Sequence, residues 1–159
     1  MQNLLLGPEF LWHCSDQVVP DGDAINYYFM HRVYLSDHFA EGPKVTDAYW
    51  QAIRPMLYFI DDRFKFQLDH LFSISCNLFT NQNRQADHEM HHDMNEPHWV
   101  GLYYVNTCNG PTIFEDFTVD CVANRFVLFD GQYLHKSNLP TDTIKRVNIN
   151  FNMAGHFRD

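Results

Sequence analysis

Basic residues are few in this chain. Eleven lysines and arginines stand against twenty aspartates and glutamates, a formal net charge of -9. A nucleic-acid backbone binder needs a basic face, so that class is disfavoured, and the overall charge leans toward a neutral or basic substrate. Close cysteine pairs are also missing. Cys14, Cys76, Cys108 and Cys121 form no CxxC, which argues against a zinc knuckle or a redox dithiol, and nothing in their spacing requires a bridge. A reduced, intracellular compartment is expected. Long apolar runs are absent too: Leu4-Leu5-Leu6 has no basic stretch before it, so no signal peptide is expected, and no later run approaches a membrane span. No internal repeat, low-complexity tract or linker interrupts the chain. With 159 residues, 45% of them apolar and 16% aromatic, it is expected to be one soluble domain over 1–159 with its own core.

Organisation then has to come from periodicity. Val45, Ala48, Tyr49, Ala52, Ile53, Met56, Leu57 and Ile60 keep the three-and-four spacing of one helical face, which predicts a helix over Val45–Ile60 with Thr46 as its cap. Pro55 should kink or divide that helix near Arg54. Beyond it the period changes to two. Phe72, Ile74, Cys76 and Leu78 alternate with Ser73, Ser75 and Asn77, the pattern of a strand with one polar face. Further strands are predicted at Trp99–Asn106, Thr112–Phe117, Phe126–Phe129 and Arg146–Met153, and another one or two within Ala24–Leu35. Turn signals such as Asn109-Gly110-Pro111 and Asp130-Gly131 separate them. A run of short strands after about residue 70 is the pattern of a β-sandwich or jelly roll, with the helix covering one sheet.

The last of these strands is the most diagnostic. Arg146, Asn148, Asn150 and Asn152 fall on one side; Val147, Ile149, Phe151 and Met153 fall on the other. Asparagine is depleted in strands, so three in alternation with an arginine need a reason. Two are open: the solvated face of an edge strand, or the lining of a polar cavity whose opposite side packs under the helix. In a cavity, Arg146 would require an incoming anion, because an unpaired buried charge is very costly.

His91 and Asp93 are two residues apart, so on an extended segment both side chains project to one side and can share an ion. His135 would complete a two-histidine, one-carboxylate face with adjacent open positions, an arrangement associated with non-haem Fe(II) oxygen chemistry. A rival motif overlaps it. His88-Glu89-Met90-His91-His92 satisfies H-E-x-x-H, with His98 at the third-ligand position of the longer zinc-protease form and Asn95 in place of its glycine. That motif works on a helix with an apolar face, which Asn81-Gln82-Asn83-Arg84-Gln85-Ala86-Asp87 does not supply. It also leaves His135 and Arg146, separated by ten residues, without a role.

Taken in order, six segments carry a family resemblance. His91-His92-Asp93-Met94, Glu96-Pro97-His98-Trp99-Val100-Gly101-Leu102-Tyr103-Tyr104-Val105-Asn106, Gly110-Pro111-Thr112-Ile113-Phe114, Phe129-Asp130-Gly131, His135 and Arg146-Val147-Asn148-Ile149-Asn150-Phe151 resemble the 2-oxoglutarate and Fe(II)-dependent dioxygenases. The nearest likeness is to small prolyl-4-hydroxylase-like members, including those of bacteriophages. It covers about the second half of the chain, and the N-terminal half matches in outline only. Pro111 departs from the second glycine or acidic residue often found there, which alters a turn and touches no ligand.

The resemblance implies a mainly β fold with a flanking helix: a double-stranded β-helix, the jelly-roll or cupin-like barrel. Residues about 1–70 would supply a supporting helix and strands, and about 71–159 the β-helix core. It implies Fe(II) held by His91, Asp93 and His135 as the catalytic and metal residues, and 2-oxoglutarate held by Arg146, with Asn148, Tyr104 and Asn77 as further contacts. O2 is the oxidant and ascorbate an optional accessory. The implied reaction is hydroxylation of a peptidyl side chain such as proline, releasing succinate and CO2. Asp93, where a small residue would open a halide position, favours a hydroxylase over a halogenase. The implied partner is a peptide, protein or small molecule, with no nucleic acid and no membrane, in the cytoplasm, or the host cytoplasm for a phage protein. The zinc metalloprotease and a non-catalytic jelly-roll binding module are the alternatives. Segments 81–90 and around Gly42 are expected to flank the metal mouth, with His88 and Glu89 on its lip and His92 turned to the opposite face.

Overall fold

A computed structural model of the protein describes residues 1–15, 27–37, 45–84 and 88–158. After a short helix α1 (Gln2–Leu5), the chain forms β1 (His13–Ser15), β2 (Tyr28–Leu35), β3 (Val45–Thr46), helices α2 (Trp50–Ile53) and α3 (Pro55–Phe64), and the long strand β4 (Phe66–Thr80). Then come β5 (Trp99–Tyr104), β6 (Thr112–Phe114), β7 (Thr118–Val119), β8 (Phe126–Asp130), β9 (His135–Ser137) and β10 (Lys145–Phe157). Antiparallel pairing builds a larger sheet in the order β1-β2-β4-β10-β5-β8, with β3 added on β2, and a smaller sheet in the order β7-β6-β9. This is the two-sheet jelly roll expected from the strand pattern. A cavity lies between the sheets, and the helices cover the other face of the larger one.

The central pair shows why period-two sequence makes this arrangement. On β10, Val147, Ile149, Phe151 and Met153 are all fully buried, together with Ile74 and Cys76 of β4 and Ile53 and Ile60 of the helices. Each such aliphatic or aromatic side chain contributes about 1.5–3 kcal/mol by leaving water. The alternate residues Ser73, Ser75 and Asn77 of β4 and Asn148, Asn150 and Asn152 of β10 turn to the cavity. The polar face of β10 is therefore a cavity lining. β10 is central, paired with β4 on one side and β5 on the other.

The helix differs from its expectation at the start. Val45 and Thr46 pair with Leu35 and Tyr34 as β3, and the N-cap position of the helix falls to Tyr49. The chain turns at Asp47, whose Oδ1 accepts from Tyr49 N–H at 2.8 Å, and helix begins at Trp50. The β-branched pair Val45-Thr46 suits a strand as well as the first turn of a helix, and an available partner strand decided it. The break does fall at Arg54, with Pro55 opening α3, where its missing N–H costs nothing. α3 ends at Lys65 in the left-handed conformation, φ 52°.

Several strand boundaries moved. The strand around Phe72–Leu78 extends over Phe66–Thr80, and the predicted Thr112–Phe117 strand stops at Phe114 before a reversal in which Phe114 N–H bonds Phe117 O at 2.8 Å. Of Ala24–Leu35, Tyr28–Leu35 is strand, while 24–26 lie outside the described residues. β9 was not anticipated; it is three residues long and offers no period to detect. No helix among the described residues is long and apolar enough to cross a membrane.

Candidate metal centre

His91 and His135 are brought together by a backbone bridge. His91 N–H bonds His135 O at 3.0 Å and His135 N–H bonds His91 O at 3.1 Å, placing the rings 4.9 Å apart. The His135 ring also lies against Phe114 and Phe129, which hold it in place. Asp93 follows two residues after His91, and its Oδ1 is 3.7 Å from His91 Nε2 and 3.6 Å from His135 Nε2. All three ligand atoms lie within 4.8 Å of one another, the one such group of His, Cys, Asp and Glu found among the described residues.

Hydrogen bonding sets the tautomers that a metal needs. His91 Nδ1 is 2.9 Å from Glu89 O and His135 Nδ1 is 3.1 Å from Tyr133 O; a carbonyl only accepts, so each Nδ1 carries the proton. Both Nε2 lone pairs then face Asp93 across the centre. Asp93 Oδ2 accepts from Asn150 Nδ2 at 2.7 Å, which orients the carboxylate and leaves Oδ1 toward the histidines. Burial drives the His91 pKa down, favouring the neutral ligand form. Burial pushes on His135 in the same direction, but the adjacent Asp93 carboxylate outweighs it and raises its pKa. For Asp93, burial works against ionisation, yet the His135 contact, the Asn150 amide and His91 hold the carboxyl well below its usual range. This donor set, two imidazoles whose Nε2 atoms can ligate once neutral and one ionised carboxylate, lining one cavity, fits a divalent first-row metal.

The overlapping protease motif does not form. Residues 88–90 are not helical, and His91 enters a β-bridge. His88 is buried with its ring 5.1 Å from Phe79, so its expected place on the lip is corrected: it packs inside while Glu89 remains exposed. His92 is exposed and turned away from the metal ligands, with Nε2 3.0 Å from Gln132 O. His98 is buried beneath Gly131, where an added Cβ would lie 2.2 Å from His98 Nε2, so the turn after β8 accepts only glycine while that ring stays there. Of the loop residues expected to flank the mouth, 85–87 and the segment around Gly42 lie outside the described residues.

The cavity runs from the metal ligands to Thr112 and Ser137 and has a volume of about 450 Å³. Asn77 and Asn148 line it and hydrogen-bond each other, Nδ2 to Oδ1, at 3.2 Å. Arg146 is fully buried beneath two of the lining residues. Its Nη1 donates to Ser137 Oγ at 2.8 Å and its Nη2 to Thr112 Oγ1 at 2.9 Å, and both hydroxyl residues line the cavity. The guanidinium stacks between Phe79 and Tyr104, 5.3 and 5.7 Å from their ring centroids. No carboxylate among the described residues pairs with it, so a buried cation without an anion stands behind the Thr112 and Ser137 hydroxyls of the polar cavity. Tyr104, expected as a cavity contact, instead lies behind Arg146 with its hydroxyl donating to Thr112 Oγ1 at 2.7 Å.

Sequence reasoning passed over Thr112, Ser137 and Arg32 as site residues. Ser137 sits two positions after His135 and therefore on the same face of β9, a signal available once that strand is known. Arg32 follows Tyr28 and Met30 at period two on β2, and all three line the cavity.

The fold has solved counterparts. An oxidoreductase of the 2OG-Fe(II) oxygenase family from Burkholderia pseudomallei superposes with a TM-score of 0.61 at 11% identity, over 86% of this chain and 72% of that one. A prolyl hydroxylase from Trichoplax adhaerens, in complex with a hypoxia inducible factor oxygen degradation domain peptide fragment, gives 0.57 at 12% identity, over 79% of this chain and 62% of that one. This chain thus spans less than two thirds of the second protein. No family model and no curated protein matches the sequence. The class defined here is a double-stranded β-helix carrying a two-histidine, one-carboxylate centre. At these identities its likeness to the 2-oxoglutarate oxygenases is one of fold.

Proposed function

We propose that this protein is an Fe(II)- and 2-oxoglutarate-dependent dioxygenase that hydroxylates a peptidyl side chain, with proline the leading candidate. The observation that carries the reading is a cavity lined by three convergent metal donors and by Thr112 and Ser137, which hydrogen-bond a fully buried arginine that has no carboxylate partner among the described residues. His91, Asp93 and His135 would hold Fe(II), which when bound supplies adjacent positions for the keto-acid end of 2-oxoglutarate and for O2. Arg146 would receive the distal carboxylate, a planar partner for its guanidinium. Thr112 adds a donor: its oxygen already accepts from Tyr104 and Arg146, so its own proton is free to point at that carboxylate. Asn77 and Asn148 lie on the wall between the two ends and can bond the co-substrate along its length. Substrate, 2-oxoglutarate and O2 would yield hydroxylated substrate, succinate and CO2.

A peptide substrate is supported by the prolyl hydroxylase counterpart, which is complexed with one. The test is succinate formation that requires both Fe(II) and 2-oxoglutarate, rises with a proline-containing peptide, and disappears in Asp93→Ala. Absence of succinate together with absence of 2-oxoglutarate binding would overturn the reading.

A further inference from the structure

The cavity is lined by a guanidinium that the reaction above does not use. Arg32 projects from β2 into the same space as Asp93, while a register shift between Arg32 and Tyr34 turns the next two residues, Val33 and Tyr34, both into the core. That bulge fixes Arg32 on the cavity side at the end of the Tyr28, Met30, Arg32 row. Its residue-level partner across the sheet is Ser75, and no carboxylate among the described residues lies within salt-bridge distance of it. Asp93 is the one acidic residue on the lining, and it belongs to the metal centre.

Charge balance then separates the two arginines. In the dioxygenase reading, on which this inference rests, the ferrous ion, the Asp93 carboxylate, the 2-oxoglutarate dianion and Arg146 sum to zero. Arg32 is left over as an uncompensated, half-buried cation. Burial works against its charge, opposed by Tyr28 and by Asp93, and a guanidinium does not give up its proton. We propose that Arg32 is the substrate-specificity residue, which receives a carboxylate of the molecule being oxidised. The local sign is thus opposite to that of the whole chain, whose charge of -9 pointed to a neutral or basic substrate. A carboxylate is favoured over phosphate because the subsite offers one planar guanidinium on a lining it shares with Tyr28 and Ser75, with no cluster of lysines and arginines.

The test uses the full chain loaded with Mn(II), and begins with calorimetric titration of 2-oxoglutarate. No binding there defeats the dioxygenase reading itself. With 2-oxoglutarate in place, the twenty standard L-amino acids and the corresponding Gly-Gly-X tripeptides are titrated, each as free carboxylate and as carboxamide. The expected result is at least one compound whose carboxylate binds about tenfold or more tighter than its amide, the free amino acids and the tripeptides distinguishing a free acid from a peptide end. Arg32→Gln should abolish that preference and Arg32→Lys should retain part of it. Equal binding of acids and amides, tighter binding of amides, binding of none, or a preference that survives Arg32→Gln would each overturn the assignment.

Discussion

The Thr112 hydroxyl oxygen lies 2.9 Å from Arg146 Nη2 and 2.7 Å from the Tyr104 hydroxyl, and accepts a hydrogen bond from both. Thr112→Val keeps the shape and removes the acceptor. It should leave two buried donors unpaired, lowering stability by about 1–3 kcal/mol and weakening 2-oxoglutarate binding about tenfold or more. Thermal unfolding and calorimetry on Mn(II)-loaded protein check the two effects separately.

Asn150 acts through Asp93. Its amide holds Asp93 Oδ2 at 2.7 Å, and replacing it with Leu frees the carboxylate to rotate. Metal affinity should fall about 10- to 100-fold, measured by competition with a chelator, with the two histidines still present. An unchanged affinity would show that the ligand cage orients Asp93 without it.

Metal binding should be visible as stability. Because the donors converge only in the folded chain, Mn(II) at about one hundred times its dissociation constant should stabilise the protein by about 2.7 kcal/mol, and a chelator should reverse this. His135→Ala should lose the effect, since it removes one of three ligands and the aromatic packing of that ring. Melting curves with and without metal distinguish the outcomes.

Away from the site, Lys65 terminates α3 at φ 52°, a conformation that costs a side-chain-bearing residue more than glycine. Lys65→Gly should stabilise the protein by about 0.5–1 kcal/mol at unchanged metal affinity. A lower melting temperature would mean that the exposed lysine, which lies 3.7 Å from Asp62, contributes more than the backbone strain costs.

Much of the fold was legible because β-strands that bury one face repeat every two residues. The alternation of Val147, Ile149, Phe151 and Met153 with three asparagines identified β10, and Ile74, Cys76 and Leu78 did the same for β4. Periodicity failed where elements are short or their residues suit two states. β9 spans three residues, and Val45-Thr46 continues a helical pattern into a strand.

At the site, the sequence by itself determined the ligand types and their local spacing. His91 and Asp93, two apart on extended chain, necessarily face one way, and an arginine on the polar side of β10 necessarily faces with the asparagines. Only the tertiary structure decided which other groups meet them. Pairing of His91 with His135 across 44 residues of sequence makes one centre of two segments. Likewise, β6 and β9 bring Thr112 and Ser137 to Arg146, and β2 sets Arg32 on the cavity that the metal donors line. Those contacts depend on strand order and register between distant segments, and a residue's near neighbours in sequence carry no record of either.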